Sequence, residues 1–151
     1  MMDARTVESI AVVIPARDPG PFLDETLRSL VDQTRRPTEI VVVDDGSRDD
    51  SVAEAVARFP GVGLIRQEPS GRGHARNQGA AATSAPYLLF LDADDLLRPD
   101  SLALMSAVLD AQSGVDMVVG GPSNSPTPCT RRSTERERPN RWSGLAFSEP
   151  P

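Results

Sequence analysis

IVVVDDGS, residues 40–47, sets four consecutive β-branched residues against two acids, a glycine and a serine. An apolar run with no alternation reads as a strand buried on both faces, the mark of a parallel sheet covered by helices. Asp44, Asp45, Gly46 and Ser47 then supply the turn chemistry expected to end it after Val43. Runs of the same kind occur at residues 10–14, 62–65 and 87–91, and residues 117–119 make a candidate fifth strand.

The intervals between these runs carry helical spacing. Leu23, Leu27, Leu30 and Val31 share one face behind Pro21, a residue suited to a first helical turn. Val52, Val56 and Phe59 share another face, with Ser47 or Asp49 as the expected cap. Residues 70–85 are rich in Gly and Ala and predict a loop running into a helix that packs close to the sheet. Leu102, Met105 and Leu109 recur after Pro99. Strands alternating with helices predict an α/β fold: a Rossmann-like, mostly parallel sheet with flanking helices and right-handed crossovers.

Residues 121–151 break this pattern. They hold six of the 14 prolines and a mixed-charge run over 131–138, with only Trp142, Leu145 and Phe147 as bulky apolar residues. That content is too small for a core, so the chain is expected to divide into a folded core over 1–120 and a low-complexity, mostly disordered tail over 121–151.

Composition removes several function classes. The net charge is −6, and all 16 basic residues are arginine. Without lysine there is no Schiff base, no P-loop lysine and no lysine general base. An acidic core gives no basic face for nucleic acid. The single cysteine, Cys129, excludes an internal disulfide and a Cys-rich zinc site, and is expected to be inert; the single histidine, His74, is unsupported by any nucleophile-elbow sequence. No apolar run reaches the ~18 residues of a membrane span, and residues 1–5 lack a secretory pattern, so the expected address is the cytoplasm.

The chemistry-bearing clusters all fall at the carboxyl ends of predicted strands, where open parallel sheets bind ligands. Pro15, Ala16 and Arg17 follow the first strand, Asp44 to Ser47 the second, and Asp92, Ala93, Asp94 and Asp95 the fourth. One acidic loop is ordinarily a turn and a helix cap; two that converge point to a site. In an extended segment Asp92 and Asp94 face the same way while Ala93 turns aside, which suits a hard cation. Carboxylate oxygens without a His or Cys cluster favour Mg²⁺ or Mn²⁺ over Zn²⁺. Such an ion completes its shell with water and substrate phosphate, so the implied ligand is a diphosphate, with Asp44 or Asp45 left to hydrogen-bond the base or ribose of a nucleotide.

Taken together, VVIPAR at 12–17, PTEIVVVDDGS at 37–47, GHARNQG at 73–79 and FLDADD at 90–95 resemble, in order and spacing, the inverting family 2 glycosyltransferases of the GT-A fold, over about residues 9 to 120. The resemblance implies inverting, metal-dependent transfer of a sugar from a nucleotide-diphosphate donor to an acceptor hydroxyl. By position it implies nucleotide-sugar binding by Pro15, Ala16, Arg17, Asp44, Asp45, Arg76 and Asp92. Pro15 and Ala16 would line the base pocket, Asp44 or Asp45 would contact uracil or its equivalent, and Arg76 would lie near the phosphates or sugar. Asp92 and Asp94 would form the metal motif. The family's general base lies downstream of that motif, and after Gly120 the acids are Glu135, Glu137 and Glu149 in the Pro- and Arg-rich tail. The sequence therefore predicts a chain truncated before its acceptor region, with a non-catalytic nucleotide-sugar binding module or inactive fragment as the alternative. A sugar nucleotidyltransferase is the weaker alternative, since the triphosphate loop of that class has no counterpart in residues 18–21. Gly71-Arg72-Gly73 does not continue into a dinucleotide fingerprint, because Arg76 stands where the third glycine belongs.

Overall fold

The computed structural model describes residues 9–112, 114–120 and 129–132. Its centre is a four-stranded parallel sheet in the order β3-β2-β1-β4, from β1 (Ile10–Ala16), β2 (Glu39–Asp45), β3 (Val62–Gln67) and β4 (Tyr87–Phe90). The chain moves outward from β1 to β3, then returns to place β4 on the other side of β1. That reversal makes the crevice between β1 and β4 the switch point of the fold.

Four helices complete the layers: α1 (Phe22–Val31), α2 (Ser51–Ala57), α3 (Arg72–Ala81) and α4 (Ser101–Ala111). Side-chain alternation along the strands sorts the core into two faces. Ile10, Val12, Ile14, Ile40 and Val42 pack with Leu23, Leu27, Leu30, Val52, Leu102 and Met105 of α1, α2 and α4. Val13, Val41 and Val43 face the opposite way, onto Ala75 of α3. Because the third crossover runs back across the sheet, a right-handed path carries α3 to the face that the first two helices leave open.

The contact under α3 is close. Gly79 is buried on the helix, and a Cβ there would run into Val13 Cγ1 and approach Val43 Cγ2 at 3.1 Å. The small-residue helix expected from residues 70–85 is thus present and packs as close as its composition predicts.

Three expectations are adjusted. The second strand continues through Asp44 and Asp45 instead of ending at Val43, because both residues still pair with β3, Asp44 opposite Arg66 and Asp45 opposite Gln67. The fifth strand, β5 (Val115–Val119), does not extend the parallel sheet among the described residues; it pairs antiparallel with β6 (Cys129–Arg132). One short strand therefore stands inside the stretch expected to be mostly disordered. Composition measures how much core a segment can build, whereas edge pairing uses backbone N–H and C=O groups that every non-proline residue carries. The rest of 121–151, with Trp142, Leu145 and Phe147, lies outside the described residues.

Gly79→Ala is expected to destabilise the chain by about 1–3 kcal/mol, the cost of forcing a methyl into a filled contact. Gly73→Ala, on the same helix with nothing within 4 Å of its Cβ position, is expected to be neutral or to stabilise by up to about 1 kcal/mol through helix propensity. Urea midpoints of the two variants check the contrast, and equal effects would remove the close-packing account of Gly79.

Candidate functional site

A cleft of about 420 Å³ opens at the switch point. Its origin lies in the sheet register. β4 pairs with β1 only as far as Phe90 opposite Val13, and the Leu91 N–H still donates to the Val13 carbonyl at 3.1 Å. β1 runs three residues further, to Ala16. Peptide groups of alternate residues face alternate neighbours, so Pro15 directs its backbone to the same side as Val13. Pro15 has no N–H to leave unpaired where β4 departs, which explains how a proline sits in a central strand.

Pro15, Arg17, Asp18 and Phe22 line one side of this cleft; Asp45, Gly71, Arg72, Asp92 and Asp94 line the rest with Pro19 and Ala93. Of the residues picked out from sequence, Pro15, Arg17, Asp45, Asp92 and Asp94 are brought together. Ala16 is buried on the other face of the sheet, among the α1 and α2 side chains. Asp44 is 3% exposed and, as alternation within a strand requires, points away from Asp45. It accepts from the Ser47 N–H at 2.9 Å, sits 3.4 Å from Arg66 Nε, and lines a second cavity of about 290 Å³ with Arg48 and Arg66. Reading the two aspartates as loop residues hid this divergence.

Asp45, 4% exposed, organises the turn ahead of α3. Its Oδ1 accepts from Gln67 Nε2 and the Ser70 N–H, both at 2.7 Å, and its Oδ2 accepts from the Gly71 N–H at 2.9 Å. Burial pushes this carboxyl up, but the three donors and the charge of Arg17 outweigh it and hold the group below the usual carboxylate range. Gly46 at φ +75° lets the chain pass beneath Pro69, where any Cβ would collide with the proline ring. Asp18 ties the first loop to the second: its N–H donates to Ser47 Oγ at 3.0 Å, and its carboxylate accepts from the Arg48 N–H and Nε, both at 2.9 Å.

The acidic loop after β4 carries three carboxylates, Asp92, Asp94 and Asp95. Asp92 is paired with Arg76 at 2.8 Å and with Arg72 at 3.4 Å. Arg76 lies against Phe90, 6.0 Å from the ring centroid, and its Nε is buried without an acceptor among the described residues. The position expected to approach phosphate thus holds Asp92. Arg72, one turn earlier and 67% exposed, is the arginine of α3 that lines the cleft. Sequence reading passed over Arg72, although its i,i+4 spacing from Arg76 puts both on one helix face. The Asp95 N–H donates to the Asp92 carbonyl at 3.1 Å, closing the turn. Burial, then the charges of Asp92 and Asp94, push the Asp95 carboxyl up. Asp94 is exposed and makes no hydrogen bond or ion pair among the described residues.

The chain is similar in sequence and fold to known proteins. The family model described as Glycosyl transferase family 2 matches residues 11–149. An uncharacterized glycosyltransferase of Escherichia coli (strain K12), YibD, is 34% identical over 97 residues, covering 62% of this chain and 28% of the relative. The crystal structure of S. aureus TarS 1-349 in complex with UDP-GlcNAc superposes with a TM-score of 0.66 at 25% identity, covering 80% of this chain and 37% of that one. The mannosyltransferase PcManGT from Pyrobaculum calidifontis, in complex with GDP-Man and Mn²⁺, gives a TM-score of 0.62 at 26% identity, covering 72% and 34%. The chain spans well under half the length of these relatives.

The donors around Asp45 fix a pH dependence. A carboxyl held low in the folded state contributes stability above its unfolded value, and that contribution is lost as pH falls through the folded value. The urea midpoint of the wild type is therefore expected to drop as pH falls below 3.8, the ordinary Asp value. Asp45→Asn should be less stable at neutral pH, because its NH₂ faces an N–H donor, and should lose less on acidification. Parallel pH profiles for the two proteins would show that the three hydrogen bonds do not favour the charged form.

Proposed function

Because the chain belongs to glycosyl transferase family 2, we propose that its switch-point cleft binds a nucleotide-diphosphate sugar and presents it for inverting, metal-dependent transfer to an acceptor hydroxyl. The observation that carries this reading is the convergence of Pro15, Asp45, Asp92 and Asp94, from three strand ends, on one cleft that also holds Arg17 and Arg72. We assign donor binding to residues 9–120. TarS in complex with UDP-GlcNAc and PcManGT in complex with GDP-Man and Mn²⁺ support a nucleotide-sugar donor and a divalent ion.

In this reading the flat apolar ring of Pro15 forms a wall for the base. Asp45 Oδ2, which accepts one bond from Gly71, keeps a lone pair for an N–H of the base or a ribose hydroxyl. Arg17 and Arg72 supply positive charge for the diphosphate. Arg72 is held by a single 3.4 Å contact, so it exchanges Asp92 for phosphate at little cost.

The donor set fits a hard divalent ion. No group of three or more His, Cys, Asp or Glu is placed to hold a metal ion among the described residues, so a closed cage is absent there, and Asp94 offers a carboxylate with no competing partner among them. Mg²⁺ and Mn²⁺ suit such a site, because one or two carboxylates plus substrate phosphate complete their shell. When bound, the ion offsets the charge that grows on the departing diphosphate. We place Asp94 as its direct ligand, with Asp92 beside it on the arginines. Inversion breaks the bond from the anomeric carbon to the diphosphate oxygen while the acceptor oxygen attacks from the opposite face, and a base takes the acceptor proton.

The carboxylates lining the cleft, Asp18, Asp45, Asp92 and Asp94, are all engaged or assigned to the donor side. This favours a second reading, in which the chain alone binds donor without efficient transfer.

A titration tests the site, and a transfer assay separates the two readings. UDP or GDP is expected to bind only with Mn²⁺ or Mg²⁺ present, and ligand at about a hundred times its dissociation constant should add roughly 2.7 kcal/mol of stability. Asp94→Asn should abolish the metal-dependent part. Binding that ignores the metal would sink the site assignment. In a radiolabelled donor-transfer assay, rapid transfer by the 151-residue chain would sink the donor-binding reading, and slow donor hydrolysis alone would sustain it.

A further inference from the structure

The acidic loop that follows β4 is irregular, yet it must hold two carboxylates steady at the mouth of the cleft. Its support comes from α1. That helix buries Leu23, Leu27 and Leu30, as a core helix should, but it also buries Thr26 at 0% exposure, and Gln33, two residues past its end, is buried at 3%. Polar groups on a core face are costly unless each finds a partner. Here every partner is backbone of the acidic loop or of α1 itself, apart from one at the first turn of α4.

Thr26 Oγ1 donates to the Ala93 carbonyl at 2.9 Å in a buried bond. Three residues on, Ser29 Oγ accepts the Leu97 N–H at 3.2 Å and donates to the Thr26 carbonyl at 2.7 Å. Four residues further, Gln33 Nε2 donates to the Arg98 carbonyl at 2.6 Å and to the Ser29 carbonyl at 3.0 Å, while its Oε1 accepts the Leu102 N–H at 3.0 Å. The i, i+3 spacing puts Thr26 and Ser29 on one face of the helix, and Gln33, just past its end, reaches back to it through the Ser29 carbonyl. The Thr34 N–H adds a bond to the Pro99 carbonyl at 2.8 Å.

We propose that Thr26, Ser29 and Gln33 form a polar ladder that positions Asp92 and Asp94, with Thr26 as the positioning residue for the carboxylates. The argument turns on Ala93, which lies between them. Its side chain is buried and its carbonyl is tied to Thr26, so the residue is fixed at both ends. With Ala93 turned inward and anchored, its neighbours are left facing the cleft, and both line it. Asp92 has two arginines to steady it, but Asp94 has no side-chain partner among the described residues. The placement of Asp94 therefore depends on the backbone that Thr26 holds. Ser29 and Gln33 fix the far side of the loop and the start of α4.

This inference rests on the donor-site reading above, and its test separates the two. Thr26→Val keeps the shape and removes the donor; Thr26→Ser restores it. Outer-shell partners of metal ligands commonly affect affinity 10–100-fold, so Thr26→Val is expected to weaken Mn²⁺-dependent UDP binding about tenfold, with recovery in Thr26→Ser. Hydrogen exchange at the Asp95 and Leu97 amides should accelerate in Thr26→Val without any ligand, and return towards wild type in the Ser variant. Wild-type affinity in Thr26→Val overturns the proposal even where exchange rises, because the ladder would then be structural only. Failure of Thr26→Ser to recover also overturns it. If the wild type shows no Mn²⁺-dependent binding, the donor-site reading fails and takes this proposal with it; if the wild type binds and Thr26→Val binds equally, only the proposal fails.

Discussion

The close approach of α3 to the sheet sets the geometry of everything at the strand ends. Gly79 lets the helix rest directly on Val13 and Val43, and the first two turns of the same helix carry Arg72 and Arg76. Lifting α3 by the thickness of a methyl group would move both guanidinium groups away from Asp92, which relies on them for 2.8 and 3.4 Å contacts. Packing on the buried face and charge balance at the open end are therefore one constraint. Asp45 closes it from the other side, gathering the Ser70 and Gly71 N–H groups just before α3 begins.

A second consequence concerns where the cleft lies. It needs no inserted domain or special loop, only two neighbouring strands of unequal length. β4 leaves the ladder at Phe90 while β1 continues to Ala16, and the gap falls where the sheet reverses direction. Pro15 marks the place in the sequence, since a proline tolerates a central strand only where one neighbour has gone. The loop that β4 enters is then free of the sheet and takes its shape from α1, through Thr26, Ser29 and Gln33.

The strands and the helix faces were legible because unbroken β-branched runs and i, i+3, i+4 spacing each admit few structures. The convergence of Asp45, Asp92 and Asp94 was legible for a related reason: strand ends on one side of a parallel sheet must meet. What the sequence concealed depends on side-chain direction or on pairing at a distance. Whether Asp44 and Asp45 share a pocket turns on whether β2 ends at residue 43 or 45, a two-residue difference that reverses one of them. Arg72 differs from Arg76 in sequence by nothing that says which will face Asp92 more tightly. The antiparallel pair of β5 with β6 escaped because edge pairing leaves little trace in composition. Thr26 was visible as a polar residue on an apolar helix face and Gln33 as a polar residue just past that helix, but their partners lie 67 and 65 residues away.

Charge accounting gives the site its mode of action on the proposed reading. Asp92 is balanced by two arginines, whereas Asp94 has no side-chain partner among the described residues and the Asp95 carboxyl is pushed up by burial and by its two acidic neighbours. A diphosphate entering without a cation meets those carboxylates and is repelled. A cation entering alone would find, among the described residues lining the cleft, one unpaired carboxylate, too few oxygens to replace its water. Each ligand thus supplies what the other lacks: the phosphates complete the shell of the ion, and the ion cancels the field that opposes the phosphates. On this reading linkage makes the coupling reciprocal, so donor and metal would each tighten the binding of the other, with the exposed Arg72 placed to exchange Asp92 for phosphate.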